Sequence, residues 1–247
     1  MAKQPHLLVG ADTINETVLL PGDPDRVTRI AEQCEDVTLL SENREYRIVN
    51  ATYDGVGLTI CSTGIGSPSA AVAVEELIRI GAKRFLRVGT AGGLQQDVDV
   101  GDLVVATGAA KDEGTTKRYE SATIPAVPDH RVVSTLLERA SEREPTVHTG
   151  PIVTDDAFYA ETDEYVEQWE AAGMIGIEME AAAIFSLARR AGLAAGAICT
   201  IDGNLVRGAQ KGETDEEELP EETSNTIEVA ITIALEAAAR LEDSSPK

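Results

Sequence analysis

The sequence predicts an α/β fold, and three observations carry that prediction. Short apolar runs alternate with helical patterns along the whole chain, instead of collecting into separate all-β and all-α blocks. Two of the apolar runs stop in glycine and proline just before a helical pattern, at Leu20-Pro21-Gly22-Asp23-Pro24 and at Thr63-Gly64-Ile65-Gly66-Ser67-Pro68. The 247 residues are 43% hydrophobic, enough for one full core at a length where single α/β domains are common.

Thr17 to Leu20 reads as a buried strand, and Pro24 suits the first turn of the helix that follows. Between them Gly22 lets the backbone approach a ligand, and Arg26 adds a guanidinium to the exposed N–H groups, a combination suited to one anion. A solvated arginine on an ordinary strand-to-helix turn is the simpler alternative. Leu58 to Thr63 reads as a second strand, with Ser67 as N-cap and Pro68 as first residue of a helix ending near Gly81. Phe85 to Thr90 is a strand that terminates in Ala91-Gly92-Gly93, and Asp102 to Thr107 is another.

Lys111 to Tyr119 and Ser121 to Asp129 read as loops, and Lys111 to Thr116 within the first is a candidate for lining a ligand pocket. Helices fit Arg131 to Glu142 and Glu178 to Ala191, the second closed by Gly192. Ala195 to Ile201 is a strand leading into Asp202-Gly203-Asn204. Asp215 to Glu222 is an acidic run, read as a solvated loop or frayed helix start. Asn225 to Leu241 closes the pattern as an amphipathic helix with Ile227, Ile231, Leu235 and Ala238 on one face. There is no internal repeat or low-complexity linker, so a single domain over residues 1–247 is expected.

The charge excludes several partners. With 43 acidic against 21 basic residues the net charge is -22, which repels nucleic acid and anionic membrane surfaces. The acidic residues recur along the whole chain and few of the basic ones are lysine, a composition like that of proteins from salt-loving organisms, with an ordinary acidic cytosolic enzyme as the alternative. No apolar run approaches the roughly 18 residues of a membrane span, and MAKQPHLL lacks a signal-peptide pattern, so a cytoplasmic protein is expected. Cys34, Cys61 and Cys199 have no CxxC spacing, and His6, His130 and His148 are scattered, so neither a disulfide framework nor a zinc site is predicted.

Arg26, Arg44 and Arg87 each lie in or beside a strand or turn, and Arg87 is the telling one. An arginine inside the apolar strand FLRVGT is expensive to bury without a partner; a phosphate beside Thr90 would serve, and so would an internal carboxylate. The second cluster is Gly176-Ile177-Glu178-Met179-Glu180. Its two carboxylates share a side in a strand and diverge by roughly 200° in a helix. A carboxylate there can grip sugar hydroxyls or stabilise positive charge on a ribosyl centre; two acids at the positive end of a helix dipole are the alternative.

Taken together, LLPGDPDRV, ENREY, ICSTGIGSPSAAVAVEEL, FLRVGTAGGLQQDVDVGDLVV, DDAFY, GIEMEAAAIFSLARRAGL and NTIEVAITIALEAAARL resemble, in order and spacing, the nucleoside phosphorylase family of uridine and hexameric purine nucleoside phosphorylases. The resemblance implies a three-layer αβα fold around a mixed, partly barrel-like sheet. It also implies attack of inorganic phosphate on the anomeric carbon of a nucleoside, with no cofactor required. By motif matching, Gly22, Arg26, Arg87 and Thr90 would hold phosphate, with Arg44 and His6 reaching into the neighbouring subunit's site. A dimer would then be the catalytic unit, normally within a hexamer. Phe158, Met179 and Glu180, with Glu178 beside them, would hold the nucleoside, and Glu45, Ile65 and Ser69 match positions that hold an interfacial potassium ion in some uridine phosphorylases.

The base is less legible. Purine-specific relatives usually carry a Ser-Asp pair whose aspartate protonates N7, but here the register gives Asp202-Gly203-Asn204, the carboxylate moved by one position. Uridine phosphorylases generally follow the Phe-Tyr pair with Gln and Arg, where this chain has Ala160-Glu161-Thr162-Asp163-Glu164. PGDPDRV, STGIGSPS and VGDLVV lean toward uridine phosphorylase, which is the expected activity. The alternatives are a purine or methylthioadenosine phosphorylase using Asp202, and a noncatalytic nucleoside-binding protein.

Overall fold

Strand β1 (Thr17–Leu20) lies between two parallel neighbours, β4 (Val56–Cys61) and β5 (Arg84–Gly93), in a computed structural model that describes residues 3–141, 143–208 and 221–243. Among the described residues nine strands form one sheet in the order β2-β3-β4-β1-β5-β8-β7-β6-β9. The others are β2 (Glu35–Asn43), β3 (Tyr46–Tyr53), β6 (Leu103–Lys111), β7 (Val147–Thr154), β8 (Gly176–Glu178) and β9 (Ala194–Asn204). Because β9 also pairs with β5, the segment β5-β8-β7-β6-β9 closes on itself as a partial five-stranded barrel.

Alternation along the strands builds the layers. Val18 and Leu20 point to the face covered by α2 (Ser67–Arg79) and α5 (Ala181–Arg190), with Val74, Leu77, Ile184 and Leu187. Leu19, Leu86 and Ile198 point to the other face, under α1 (Pro24–Glu32), α3 (His130–Ala140) and α6 (Glu221–Asp243), with Ile30, Leu136 and Ile231. A smaller cluster of Leu94, Val153, Val166 and Ile177 seats α4 (Asp163–Ala171). The result is the expected three-layer αβα arrangement. Phe85 and Phe185 are fully buried, each contributing about 1.5–3 kcal/mol of apolar burial.

Several local expectations shift. Helix α2 is capped by Gly66 and not by Ser67, which is already the first helical residue; Gly66 has φ 87°, a conformation glycine adopts without strain. The helix expected from Glu178 begins at Ala181, because Glu178 still belongs to β8. The helix expected to reach Glu142 ends at Ala140, and Glu142 itself lies outside the described residues. Strand β6 runs on to Lys111, which forms an ion pair with Glu120. Of the acidic run, residues 215–220 lie outside the described residues, and Glu221 and Glu222 open α6.

Candidate active site

A cavity of about 1220 Å³ opens where β1, β5, β7, β8 and β9 end, large enough for a small ligand and an anion together. Its first wall is the β1–α1 turn. Asp23 caps α1 by accepting the Asp25 N–H at 2.9 Å, which fixes the turn and sends Arg26 inward. Arg26 donates through Nη1 to the Val88 carbonyl at 3.2 Å, while its buried Nε meets no partner among the described residues. Burial, then the nearby Arg87, lower the Arg26 pKa.

Arg87 stands at the floor of the cavity. It shares the pleat side of Phe85 and Ala91, the side that faces α5, and so meets the start of that helix. Its Nε lies 2.9 Å from Glu178 Oε2 and its Nη2 contacts Glu180 Oε2, with all three side chains buried. Of the two alternatives raised by the sequence, the internal carboxylate partners are present; Arg87 also lines the cavity, with Nη1 unpartnered among the described residues. Burial would push its guanidinium pKa down, but Glu180 and Glu178 more than reverse this. Gly89 makes room for it, since a Cβ there would lie 2.8 Å from Arg87 Cζ.

The two glutamates are used differently. Glu178 is saturated by the protein: Oε1 accepts from Thr154 Oγ1 at 2.6 Å, and Oε2 accepts the N–H groups of Glu180 and Ala181, each at 2.8 Å. It thereby caps α5 and positions its neighbour. Glu180 points Oε1 at the Gly66 N–H, 2.6 Å away, and Oε2 at Arg87. Burial raises its pKa, with Arg87 pulling the other way and Glu178 adding to the rise. Met179 lies between them on the cavity wall, its carbonyl fixed by Ser67 Oγ at 3.0 Å.

The structure brings Gly22, Arg26, Arg87, Thr90, Phe158, Glu178, Met179, Glu180 and Asp202 to one cavity, with Glu45, Ile65 and Ser69 along its side. Arg44 and His6 are outside its lining: Arg44 is exposed at the β2–β3 turn, and His6 Nδ1 lies 2.6 Å from Glu76 Oε1. The loop from Lys111 to Thr116 does not line it either, because Glu113 folds back onto Thr116 and the Gly114 N–H donates to Asp156 Oδ2 at 2.8 Å.

Asp202 is the residue that sequence spacing describes least well. Ala91 pairs with Ile201 and Gly92 with Gly203, so Asp202 is the extra residue of a β-bulge in β9. A bulge re-aims a side chain, and this one turns a carboxylate toward the cavity. Three further contributors escaped the sequence reading: Gly89, Thr154 and Glu161. Gly89 has a signal, two residues after an arginine in an apolar strand, and Glu161 has one in its place just after the Phe-Tyr pair; Thr154 has none, since its role depends on a distant segment.

Residues 16–240 match the phosphorylase superfamily. The chain belongs to that superfamily. This phosphorylase is 60% identical over 241 residues to the guanosine phosphorylase of Halorubrum lacusprofundi, covering 98% of this chain and 100% of that one. It is 35% identical to the uridine phosphorylase of Thermococcus kodakarensis, over 92% of this chain and 86% of the relative. Among solved structures, the uridine phosphorylase of Vibrio fischeri superposes with a TM-score of 0.88 at 37% identity, covering 97% and 98% of the two chains. The phosphorylase is thus a pentosyl-transferring enzyme acting on a nucleoside, and no helix among the described residues is long and apolar enough to cross a membrane.

Proposed function

We propose that the chain catalyses phosphorolysis of a purine nucleoside of the guanosine type, giving the free base and a pentose 1-phosphate. The observation that carries this reading is the charge layout of the cavity. Arg26 and Arg87 supply cation and unpartnered N–H groups at one end. Besides these two, no guanidinium, ammonium or amide side chain lines the cavity among the described residues, whereas the carboxyl groups of Asp155, Asp156 and Glu161 do. Carboxylates accept hydrogen bonds and do not give them when ionised. Such a wall favours a base edge rich in N–H donors over uracil, whose single N3–H is flanked by two carbonyls.

In the proposed reaction a phosphate oxygen, oriented by Arg26, Arg87 and Thr90, attacks C1′ as the C1′–N9 bond breaks. Glu180 holds the ribose hydroxyls while positive charge builds on the sugar. The bond's electron pair passes into the purine, and Asp202, aimed by the bulge, supplies the proton to N7. The guanosine phosphorylase relative supports the purine. A uridine activity, the reading favoured by the sequence motifs, is the second possibility, and the uridine phosphorylase relatives favour it.

The proposal extends to the assembly: a homodimer as catalytic unit, grouped into a hexamer, with Arg44 and His6 of one protomer completing its neighbour's cavity. Their place outside the cavity lining supports this. Glu45 and Ser69, joined by a 3.0 Å hydrogen bond, offer the oxygen donors that a hard cation such as potassium takes. The test is turnover of uridine, thymidine, inosine, guanosine and adenosine with and without phosphate. Phosphate-dependent cleavage with guanosine preferred is expected; cleavage of uridine alone, or cleavage independent of phosphate, would overturn the reading. For the assembly, mixing Arg44→Ala and Arg87→Ala protomers should restore activity that each lacks.

A further inference from the structure

The strand order lays out the cavity as a sequence of stations. Gly22 and Arg26 follow β1, Arg87 and Thr90 lie on β5, Met179 and Glu180 follow β8, and Asp155 to Glu161 follow β7. Since β1, β5, β8 and β7 are consecutive in the sheet, an anion at the first two and a sugar at the third leave the segment after β7 facing whatever the sugar carries. Asp202 approaches from β9, which flanks β5 on the side away from β8. The two acidic contributions therefore enter from different sides of the barrel.

Within the segment after β7 the acids are not equivalent. Asp156 is exposed and accepts the Gly114 N–H. Asp155 is tied through its own N–H to the Glu178 carbonyl at 3.0 Å. Glu161 is half-buried on the cavity wall, three residues after Phe158. Its backbone is fixed on both sides: it ends the short 3-10 turn Phe158–Ala160, and the next residue, Thr162, caps α4 by accepting the Tyr165 N–H. A further bond from Tyr165 Oη to Asp112 Oδ2, 2.9 Å long, holds that helix start in place. The carboxyl is thus presented from an anchored support, as a specificity contact requires.

We infer that Glu161 reads the Watson–Crick edge of guanine, its two carboxylate oxygens accepting the adjacent N1–H and 2-amino N–H. This rests on the guanosine reading of the function and names the contact that would select that base. The chemistry is a fork-to-fork match: two parallel donors on the base meet two parallel acceptors on the protein. Hypoxanthine offers only N1–H, adenine presents a bare N1 acceptor beside its amino group, and uracil sets carbonyls on both sides of N3–H. Burial and the neighbouring Asp155 push the Glu161 carboxyl up to about 7, a state that incoming donors would relieve.

The test compares guanosine with inosine, which differ only in the 2-amino group, in wild type and Glu161→Gln. The amide keeps the size of the side chain and can still accept from N1–H, but it sets an NH2 group against the second donor of guanine. Guanosine kcat/KM is expected to fall about tenfold to a hundredfold while inosine stays within about threefold. Glu161→Asp should recover part of the guanosine preference. A guanosine-to-inosine ratio unchanged by Glu161→Gln, or equal loss on both substrates, would overturn the role of Glu161 alone. A wild-type enzyme that cleaves uridine and neither purine would instead overturn the substrate reading and this contact with it.

Discussion

Arg87 and Glu180 hold each other at the floor of the cavity, Nη2 against Oε2, while Glu178 takes the Arg87 Nε at 2.9 Å. The cation proposed to hold phosphate is thus oriented by the carboxylate proposed to grip the ribose. Replacing Arg87 by alanine removes an anion contact and strands two buried carboxylates. Turnover is expected to fall by at least about 10²–10³-fold, and stability by about 3–5 kcal/mol. Steady-state kinetics and urea melts measure the two; retained turnover would remove Arg87 from the phosphate site.

Glu178 and Glu180 should separate by assay. Glu178 is bonded to Thr154 and to the first N–H groups of α5, so Glu178→Ala is expected to act mainly on stability, by about 3–5 kcal/mol. Glu180→Gln is expected to lower kcat/KM about 10²-fold with a smaller shift in melting temperature. The reverse ranking would exchange the assigned roles.

Gly89→Ala would place a Cβ 2.8 Å from Arg87 Cζ and push the guanidinium aside. A loss of about 10–10²-fold in kcat/KM for phosphate is expected with the circular dichroism spectrum unchanged. Wild-type phosphate kinetics would mean that the guanidinium position is not critical.

The Glu161 carboxyl, held up at about 7 by burial and by Asp155 at the end of β7, is protonated below that pH and a double acceptor above it. The guanosine-to-inosine preference should therefore rise as pH is raised through about 7 and flatten in Glu161→Gln. The linked effect on stability has the opposite sense. Because the folded state keeps this proton up to a higher pH than the ordinary 4.5, this group's contribution to stability falls as pH rises from there to about 7. A preference independent of pH in wild type would count against the assignment.

The net charge of -22 predicts a salt requirement, because self-repulsion at this level is relieved by screening. The melting temperature should climb by several degrees between about 0.1 M and about 2 M potassium chloride. A flat or falling series would show that the acidic surface is not a salt adaptation.

Much of the frame was legible because it is local. β1 with the Asp23 cap and Pro24, the run from Phe85 into Gly92-Gly93, and α6 with its apolar stripe all follow from patterns a few residues long. The hairpin of β2 and β3 was not legible: β2 is mostly exposed and carries Glu35, Asp36 and Glu42, so its pairing with β3 outweighs its composition. The start of α5 lies later than the helical pattern implies for a related reason, since Glu178 is drawn into β8 by pairing with Thr154.

The sequence by itself determined the layered α/β frame, the glycine turns that bring backbone to a ligand, and the arginines and glutamates available for an anion and a sugar. Spacing and periodicity encode these, because neighbours in the chain fix them. Only the tertiary structure decided how those residues are shared: that Glu178 supports α5 while Glu180 meets Gly66 and Arg87, that a bulge aims Asp202, that Arg44 and His6 lie outside the cavity lining, and that Glu161 lines the cavity. Each of these depends on strands far apart in sequence meeting at one end of a closed sheet, and no local pattern carries that register.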